Sequence, residues 1–144
     1  MNMSIEFARK MSLAYNMSCK SLCQELKLPQ TAFDILMFLA NNPNYKTASD
    51  IVEIRKIKAN LVSVNVDRLV QEGYLQRQAV EGDRRKTELL CTDKARTVIR
   101  RGQQLQSEFA ARLFAGMDED VRRSFFAAIA VIGQNLDAIL TEEM

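Results

Sequence analysis

Apolar residues recur every three or four positions along most of the chain, a spacing that gathers them on one face of an α-helix. Such stretches cover residues 4–27 and 30–41 before the middle of the chain. Two more cover residues 93–115 and the region from Asp118 towards the C-terminus. The segment Asn41-Asn42-Pro43-Asn44 is the clearest break. The pattern therefore predicts two helices on each side of a central segment of different character.

The central segment, residues 47–92, combines two short helical stretches with an alternating one. Thr47 and Asp50 have the spacing of a capping box, which predicts a helix over residues 47–55. After a turn, a second helix is predicted over residues 58–72, and Gly73 supplies the left-handed residue on which helices often end. Residues 74–80 and 86–91 then predict a β-ribbon with residues 81–85 at its tip. A helix pair followed by a basic hairpin can place a helix and a ribbon side by side on a DNA duplex.

The same spacing predicts which side chains face inward. The first helix and the last two cannot bury their apolar faces in one thin lobe, so we expect a second copy of the chain to cover them. Asp93 is the predicted N-cap of the helix over residues 93–115. The predicted apolar faces are Ala8, Met11, Tyr15, Cys19, Leu22 and Leu26 on the first helix, and Val121, Phe125, Ala128, Ile132, Leu136 and Ile139 on the last. The predicted packing residues of the two central helices are Ala48, Ile51, Val52 and Ile54, and Ala59, Val62, Val66, Leu69 and Val70.

Composition places the chain among ordinary globular proteins. Its 144 residues are 47% hydrophobic and 26% charged, which suits one domain. No uninterrupted apolar run approaches the ~18 to 20 residues of a membrane span, and the first residues lack the blocks of a secretory signal. Three cysteines without a paired framework suit a reducing compartment. These features favour the cytoplasm and predict no membrane partner.

Charge is divided unevenly along the chain. Residues 46–101 contain 13 basic and 8 acidic residues, a net charge of +5, whereas the remainder carries −3. This asymmetry favours an anionic partner for the middle of the chain. Histidine is absent, which removes the commonest general base and metal ligand. No carboxylate pair or glycine-rich phosphate loop stands out either. We therefore expect no catalytic activity, no metal and no cofactor.

Several short motifs at fixed separations carry a resemblance to a known family. They are Asp-Arg-Leu at 67–69, Gly73, Gly-Asp-Arg-Arg at 82–85 and Cys-Thr at 91–92, enclosed by long helices at both ends. In this order they resemble the MarR (multiple antibiotic resistance regulator) family of winged helix-turn-helix regulators, over nearly the whole chain. The resemblance implies a mostly α (α+β) fold in a single domain, residues 1–144. Residues 30–92 would form the DNA-binding lobe, and residues 1–29 and 93–144 a helical dimerisation region.

Members of this family are dimeric transcription regulators in which one helix enters the major groove and the wing reaches the neighbouring minor groove. The resemblance also implies that Asp83 holds the wing by a bidentate pair with the Arg85 guanidinium. The implied DNA contacts are Lys58, Asn60, Ser63, Val64 and Arg68 on the helix, and Arg84, Arg85 and Lys86 on the wing. For the basic residues the alternative is a solvated turn.

Three positions depart from the family pattern. Val64 stands where the family often has a basic or polar residue, and valine cannot donate a hydrogen bond, although it can contact a thymine methyl group. Cys91 stands where leucine is usual. Lys58 lacks the short oxygen acceptor of a good N-cap. These departures bear on the DNA sequence that is recognised and not on the fold.

The implied function is that of a repressor, acting as a homodimer on a pseudo-palindromic operator, with its two recognition helices about 34 Å apart. The alternative is a winged-helix protein-interaction module whose basic face only serves solubility.

The sequence leaves two alternatives for each of two groups of residues. Met11, Tyr15 and Phe33 either line a cavity for a small phenolic or aromatic effector, as in many members of the family, or belong to the hydrophobic core. Cys19 and Cys23, one helical turn apart, either sense oxidants, as cysteines on this helix do in some members of the family, or are buried core thiols.

Overall fold

The structure, a computed structural model, describes residues 3–143, which form six helices and one β-hairpin. In chain order the elements are α1 (Met3–Leu26), α2 (Gln30–Asn41), α3 (Ala48–Arg55), α4 (Ala59–Gln71), β1 (Leu75–Val80), β2 (Asp83–Cys91), α5 (Ala95–Leu113) and α6 (Glu119–Glu143). The predicted mostly helical architecture, with a hairpin inserted after a helix pair, is confirmed.

The chain forms two compact units, one up to Phe109 and one from Ala110 onward. The first unit contains α1 to α4, the hairpin and most of α5. The second contains the end of α5 and α6. The division into a lobe over residues 30–92 and flanking dimerisation helices remains a prediction.

The ends of the central helices follow local sequence signals. Thr47 Oγ1 accepts from the Asp50 amide at 3.1 Å, and Asp50 Oδ2 accepts from the Thr47 amide at 3.1 Å, so the predicted capping box is confirmed. At the end of α4, Gly73 has φ +87°, and the Tyr74 amide donates to the Leu69 carbonyl at 2.8 Å. This is the left-handed helix end that Gly73 predicts.

The start of α5 differs from the prediction. Its first residue is Ala95, and Thr92 Oγ1, not the Asp93 carboxylate, accepts from the Ala95 amide, at 3.4 Å. Asp93 instead pairs with the Arg96 side chain at 3.2 Å. Thr92 takes the capping position because its hydroxyl is also held by the Gly73 carbonyl, at 2.6 Å.

The core of the first unit lies between α2, the helix pair, the hairpin and the start of α5. Its apolar side chains come from all of these elements, and a smaller cluster joins α1 to α2. The main cluster includes Ile35, Leu36, Leu39, Ile51, Val62, Val66, Leu69, Leu75, Leu89 and Val98, and the smaller one Cys19, Leu22, Cys23, Phe33 and Met37. This core fixes which side of α4 faces outward.

Three of the packing positions predicted for the central helices are wrong, because Ala48, Ile54 and Ala59 are exposed. They lie at or near helix ends, where helical spacing does not decide between core and surface. The eight-residue helix α3, for example, buries only Ile51 completely. Ala8, on the predicted apolar face of α1, is exposed as well, and so is the whole predicted apolar face of α6.

The hairpin begins its second strand earlier than predicted. β2 starts at Asp83, so Glu81 and Gly82 alone form the turn. Ala79 pairs with Thr87, but the next residue, Val80, pairs with Asp83, which leaves residues 84–86 outside the regular register. In place of the predicted five-residue tip there is a two-residue turn, followed by an irregular strand segment that contains Arg84, Arg85 and Lys86.

Helix α6 leaves its apolar face exposed, including Phe125, Leu136 and Ile139. By length and composition it could cross a membrane, with a mean hydropathy of 1.4. The sequence predicts no membrane span because it has no long uninterrupted apolar run. In α6 such a run is interrupted by the polar residues 134, 135 and 137. Within this unit Phe114, Phe125 and Phe126 pack together with ring centroids 5.4 to 5.7 Å apart.

Candidate nucleic-acid interface

Helix α4 presents one side of its surface to solvent because Val62, Val66 and Leu69 hold its other side against the core. Lys58 precedes its first turn as the N-cap residue and makes no side-chain capping bond, as its sequence suggests. The exposed side carries the predicted contacts Asn60, Ser63, Val64 and Arg68. The first three lie in the N-terminal half of the helix, the part that reaches base edges in helix-turn-helix proteins.

Arg68 has partners within the chain. Its guanidinium donates from Nη2 to the Lys27 carbonyl at 2.8 Å, and its Nε lies 3.4 Å from Glu72 Oε1. Lys27 has φ +57° at the corner between α1 and α2, so Arg68 fastens α4 to that corner. The structure thus gives Arg68 an internal bond, whereas its predicted contact with the major groove remains a prediction.

An ion pair that the sequence did not reveal joins α4 to the wing. The Asp67 carboxylate, on the exposed side of α4, pairs with the Arg77 guanidinium on β1. The sequence does contain a signal for this pair. Gly73 ends α4 and reverses the chain, so an acidic residue shortly before it and a basic residue shortly after it can meet. The pair bridges the helix and the hairpin, the two parts that a duplex would contact.

The wing exposes Arg84, Arg85 and Lys86 on its irregular segment. Asp83 supports this segment differently from the prediction. Its Oδ1 accepts from the backbone amide of Arg85 at 3.0 Å, and not from the guanidinium. A carboxylate two residues before an amide closes a local turn, so Asp83 shapes the backbone and leaves the Arg85 side chain free to extend.

The C-terminal end of α4 is also fastened to the start of α5. Lys94 Nζ donates to the Glu72 carbonyl at 2.6 Å and lies 4.9 Å from the centroid of the Tyr74 ring. The Thr92 hydroxyl donates to the Gly73 carbonyl. These two side chains satisfy carbonyls that the end of a helix leaves without partners, and the lysine charge suits the negative end of the helix dipole.

A cleft of about 420 Å³ lies beside α1 in the first unit; its lining includes Met11, Tyr15, Asp34, Arg55 and Phe109, and we refer to it as the α1 cleft. Met11 and Tyr15 therefore line a cleft, and their role in binding an effector remains a prediction. Phe33 does not line the cleft, because its side chain is fully buried in the cluster between α1 and α2. Asp34, one residue further on, faces the cleft instead.

The α1 cleft contains charged and aromatic groups in contact. Asp34 Oδ2 lies 3.7 Å from Arg55 Nη2, and the rings of Tyr15 and Phe109 meet edge to face, 5.4 Å apart. Burial raises the pKa of Asp34, although the bond from Gln30 and the Arg55 charge oppose this. Burial also raises the pKa of Tyr15 to about 12, so its hydroxyl stays protonated at neutral pH.

Cys19 and Cys23 are both buried between α1 and α2. Burial raises the pKa of both thiols, that of Cys23 to about 11. A reactive cysteine needs an accessible thiolate, so the geometry favours the interpretation of these residues as core thiols.

The outward side of α4 and the basic hairpin beside it define a winged helix-turn-helix protein. A model of the MarR family matches residues 26–86, which contain α2 to α4 and most of the wing. The chain is 32% identical over 94 residues to the HTH-type transcriptional regulator PecS of Dickeya dadantii (strain 3937). That match covers 64% of this chain and spans 57% of the length of PecS. Over these residues the chain is similar to MarR-family regulators.

Solved structures have the same fold. One is a MarR protein from Peptoclostridium difficile DA00132, with TM-score 0.79 and 17% identity, covering 99% of this chain and 93% of that one. Another is a MarR family transcriptional regulator from Listeria monocytogenes complexed with a 26mer DNA, with TM-score 0.78 and 16% identity, covering 92% and 87% of the two chains. At these identities the similarity establishes the fold.

Proposed function

We propose that this protein regulates transcription by binding double-stranded DNA in a sequence-dependent manner, with α4 in the major groove and the wing against the neighbouring minor groove. The observation that carries the proposal is the exposed run Arg84, Arg85 and Lys86 on a hairpin that the Asp67–Arg77 ion pair joins to α4. A narrow minor groove has an enhanced negative potential and attracts arginine. The DNA complex of the Listeria monocytogenes relative supports the same use of the fold.

The protein acts as a homodimer. Many apolar side chains are exposed on α6, and Leu13 and Met17 are exposed on α1. Exposed apolar patches often mark sites of protein association. Burying them against a second copy would place two α4 helices about 34 Å apart, one turn of duplex. The operator is accordingly a pseudo-palindrome, and the dimer represses by occupying a promoter. Its place of action is the compartment that holds the genome, the cytoplasm in a prokaryotic cell.

Replacing Arg85 by alanine tests the contact between wing and DNA. Operator DNA obtained by selection from a random pool should bind the variant more weakly, and log K should fall less steeply with log salt, by about 0.9 for each phosphate that the variant no longer neutralises. Affinity measured at several salt concentrations gives this slope.

Arg9→Ala is the matched control, because it removes the same charge from α1, outside the positive central segment. It should leave the slope unchanged. An Arg85→Ala slope equal to that of the unmodified protein would remove the wing from the interface. Selection that recovers no DNA at all would instead favour the protein-interaction module.

A small aromatic anion releases the protein from DNA by binding in the α1 cleft. The cleft volume of about 420 Å³ lies within the range of ligand sites. Arg55, on the first helix of the DNA-binding pair, supplies a cation, and Tyr15 and Phe109 supply aromatic surfaces. An anion bound there would compete with Asp34 for Arg55 and so act on the position of α3. Such a ligand changes DNA affinity only if it binds the two states of the protein unequally.

With 4-hydroxybenzoate as the probe, we expect weaker operator binding by the unmodified protein and no such effect in Arg55→Met. The ratio of operator affinities with and without the probe is the measured quantity, which cancels any effect of the substitution on DNA binding itself. An equal ratio in both proteins would place the probe elsewhere.

A further inference from the structure

Two apolar side chains stand out from the exposed side of α4. Leu61 is 46% and Val64 64% exposed, although the same helix buries Val62, Val66 and Leu69. Because they are three residues apart, they are neighbours on the helix surface. Both belong to the N-terminal half of α4. An apolar pair at this place has no role in the core of its own lobe.

Two charged groups on the exposed side of α4 are engaged within the protein. Asp67 pairs with Arg77 on the hairpin, and Arg68 is held by the Lys27 carbonyl and by Glu72. Besides Lys58, which precedes the helix, the N-terminal half of α4 thus offers a base edge the short side chains of Ala59, Asn60 and Ser63 beside the two larger apolar ones. Its surface is suited to bases that present an apolar group.

Only one of the four bases presents such a group in the major groove, namely thymine through its C5-methyl. We propose that Leu61 and Val64 are specificity-determining residues that read thymine methyl groups, so that each operator half-site has thymines facing them. This inference rests on the proposed DNA-binding function. Burial of one methyl group against an apolar side chain corresponds to a change of about fourfold in affinity.

The test removes the methyl groups one at a time. In operator DNA selected from a random pool, each thymine is replaced by deoxyuridine, which keeps the base pair and the phosphates. One or two replacements in each half-site should weaken binding by the unmodified protein about fourfold, whereas replacements outside the contacted segment should have no effect. At the sensitive positions, 5-methylcytosine should bind better than cytosine by a similar factor.

Protein variants assign each methyl group to its reader. Val64→Ala and Leu61→Ala should each lose sensitivity to deoxyuridine at one position, while Val64→Ile should keep it. The salt dependence should not change in any of them, because every phosphate contact is kept. Binding that is indifferent to every deoxyuridine replacement, or an undiminished sensitivity in both alanine variants, would overturn the inference. Absence of all selective DNA binding by the unmodified protein would overturn the proposed function itself.

Discussion

Replacing Leu136 by aspartate is expected to yield monomers that bind the operator far more weakly than the dimer does. Leu136 is 53% exposed and lies within the apolar face of α6, between Ile132 and Ile139. A carboxylate in the centre of a dimer interface would be desolvated without a partner. Because a two-site contact gains about 10²- to 10⁴-fold over a single one, separated subunits should bind at least about 100-fold more weakly. Light scattering and an operator titration measure the two effects.

Gln134→Asp is the matched control, since Gln134 lies on the polar side of the same helix. It adds the same charge and should leave both dimer and affinity intact. A dimeric Leu136→Asp protein would contradict the proposed interface. Recovery of the unmodified protein with membranes would assign the apolar face of α6 to a lipid bilayer instead.

Replacing Leu69 by alanine should lower the free energy of unfolding by about 2 to 5 kcal/mol, the range for removal of a large apolar side chain from a core. Leu69 is fully buried on the core side of α4, among side chains from α3, α4, the hairpin and α5. The cavity cannot close easily, because Arg68 and Lys94 fasten the end of α4 on either side. Urea unfolding followed by circular dichroism gives the change.

Leu61→Ala removes the same atoms from the exposed side of the same helix. It should change the free energy of unfolding by no more than about 0.5 kcal/mol. Equal losses in the two variants would mean that α4 is not oriented on the lobe as described. The comparison also establishes that Leu61→Ala is properly folded for the experiments with deoxyuridine.

Features encoded over a few residues could be predicted from the sequence. The capping box of Thr47 and Asp50, the bounds of α2 and the left-handed Gly73 all follow from short-range hydrogen bonding and steric limits. The mostly helical fold with its hairpin followed from the change of apolar period.

Features that depend on contacts between distant segments could not be predicted. Arg68 finds the Lys27 carbonyl 41 positions away, and only the folded chain brings them together. The start of β2 at Asp83 depends on where an irregular register resumes, which alternation in the sequence does not encode.

The candidate site shows the same division. The exposed positions of Asn60, Ser63 and Val64 follow from the helical period of α4. Met11 and Tyr15 line the α1 cleft and Phe33 is buried away from it, whereas the binding of an effector by these residues remains a prediction. Neighbouring residues of α2 point in directions about 100° apart. A prediction based on apolar character chooses Phe33 as the lining residue, but it is Asp34 that points into the cleft.

The fastening of Gly73 by Thr92 and of Glu72 by Lys94 has a mechanical consequence. These two hydrogen bonds join the end of α4 to the residues just before α5. A rotation at the beginning of α5 should therefore move the end of α4 as well. If the proposed effector displaces the start of α5, we expect the end of α4 to move with it and the fit of α4 to the major groove to change.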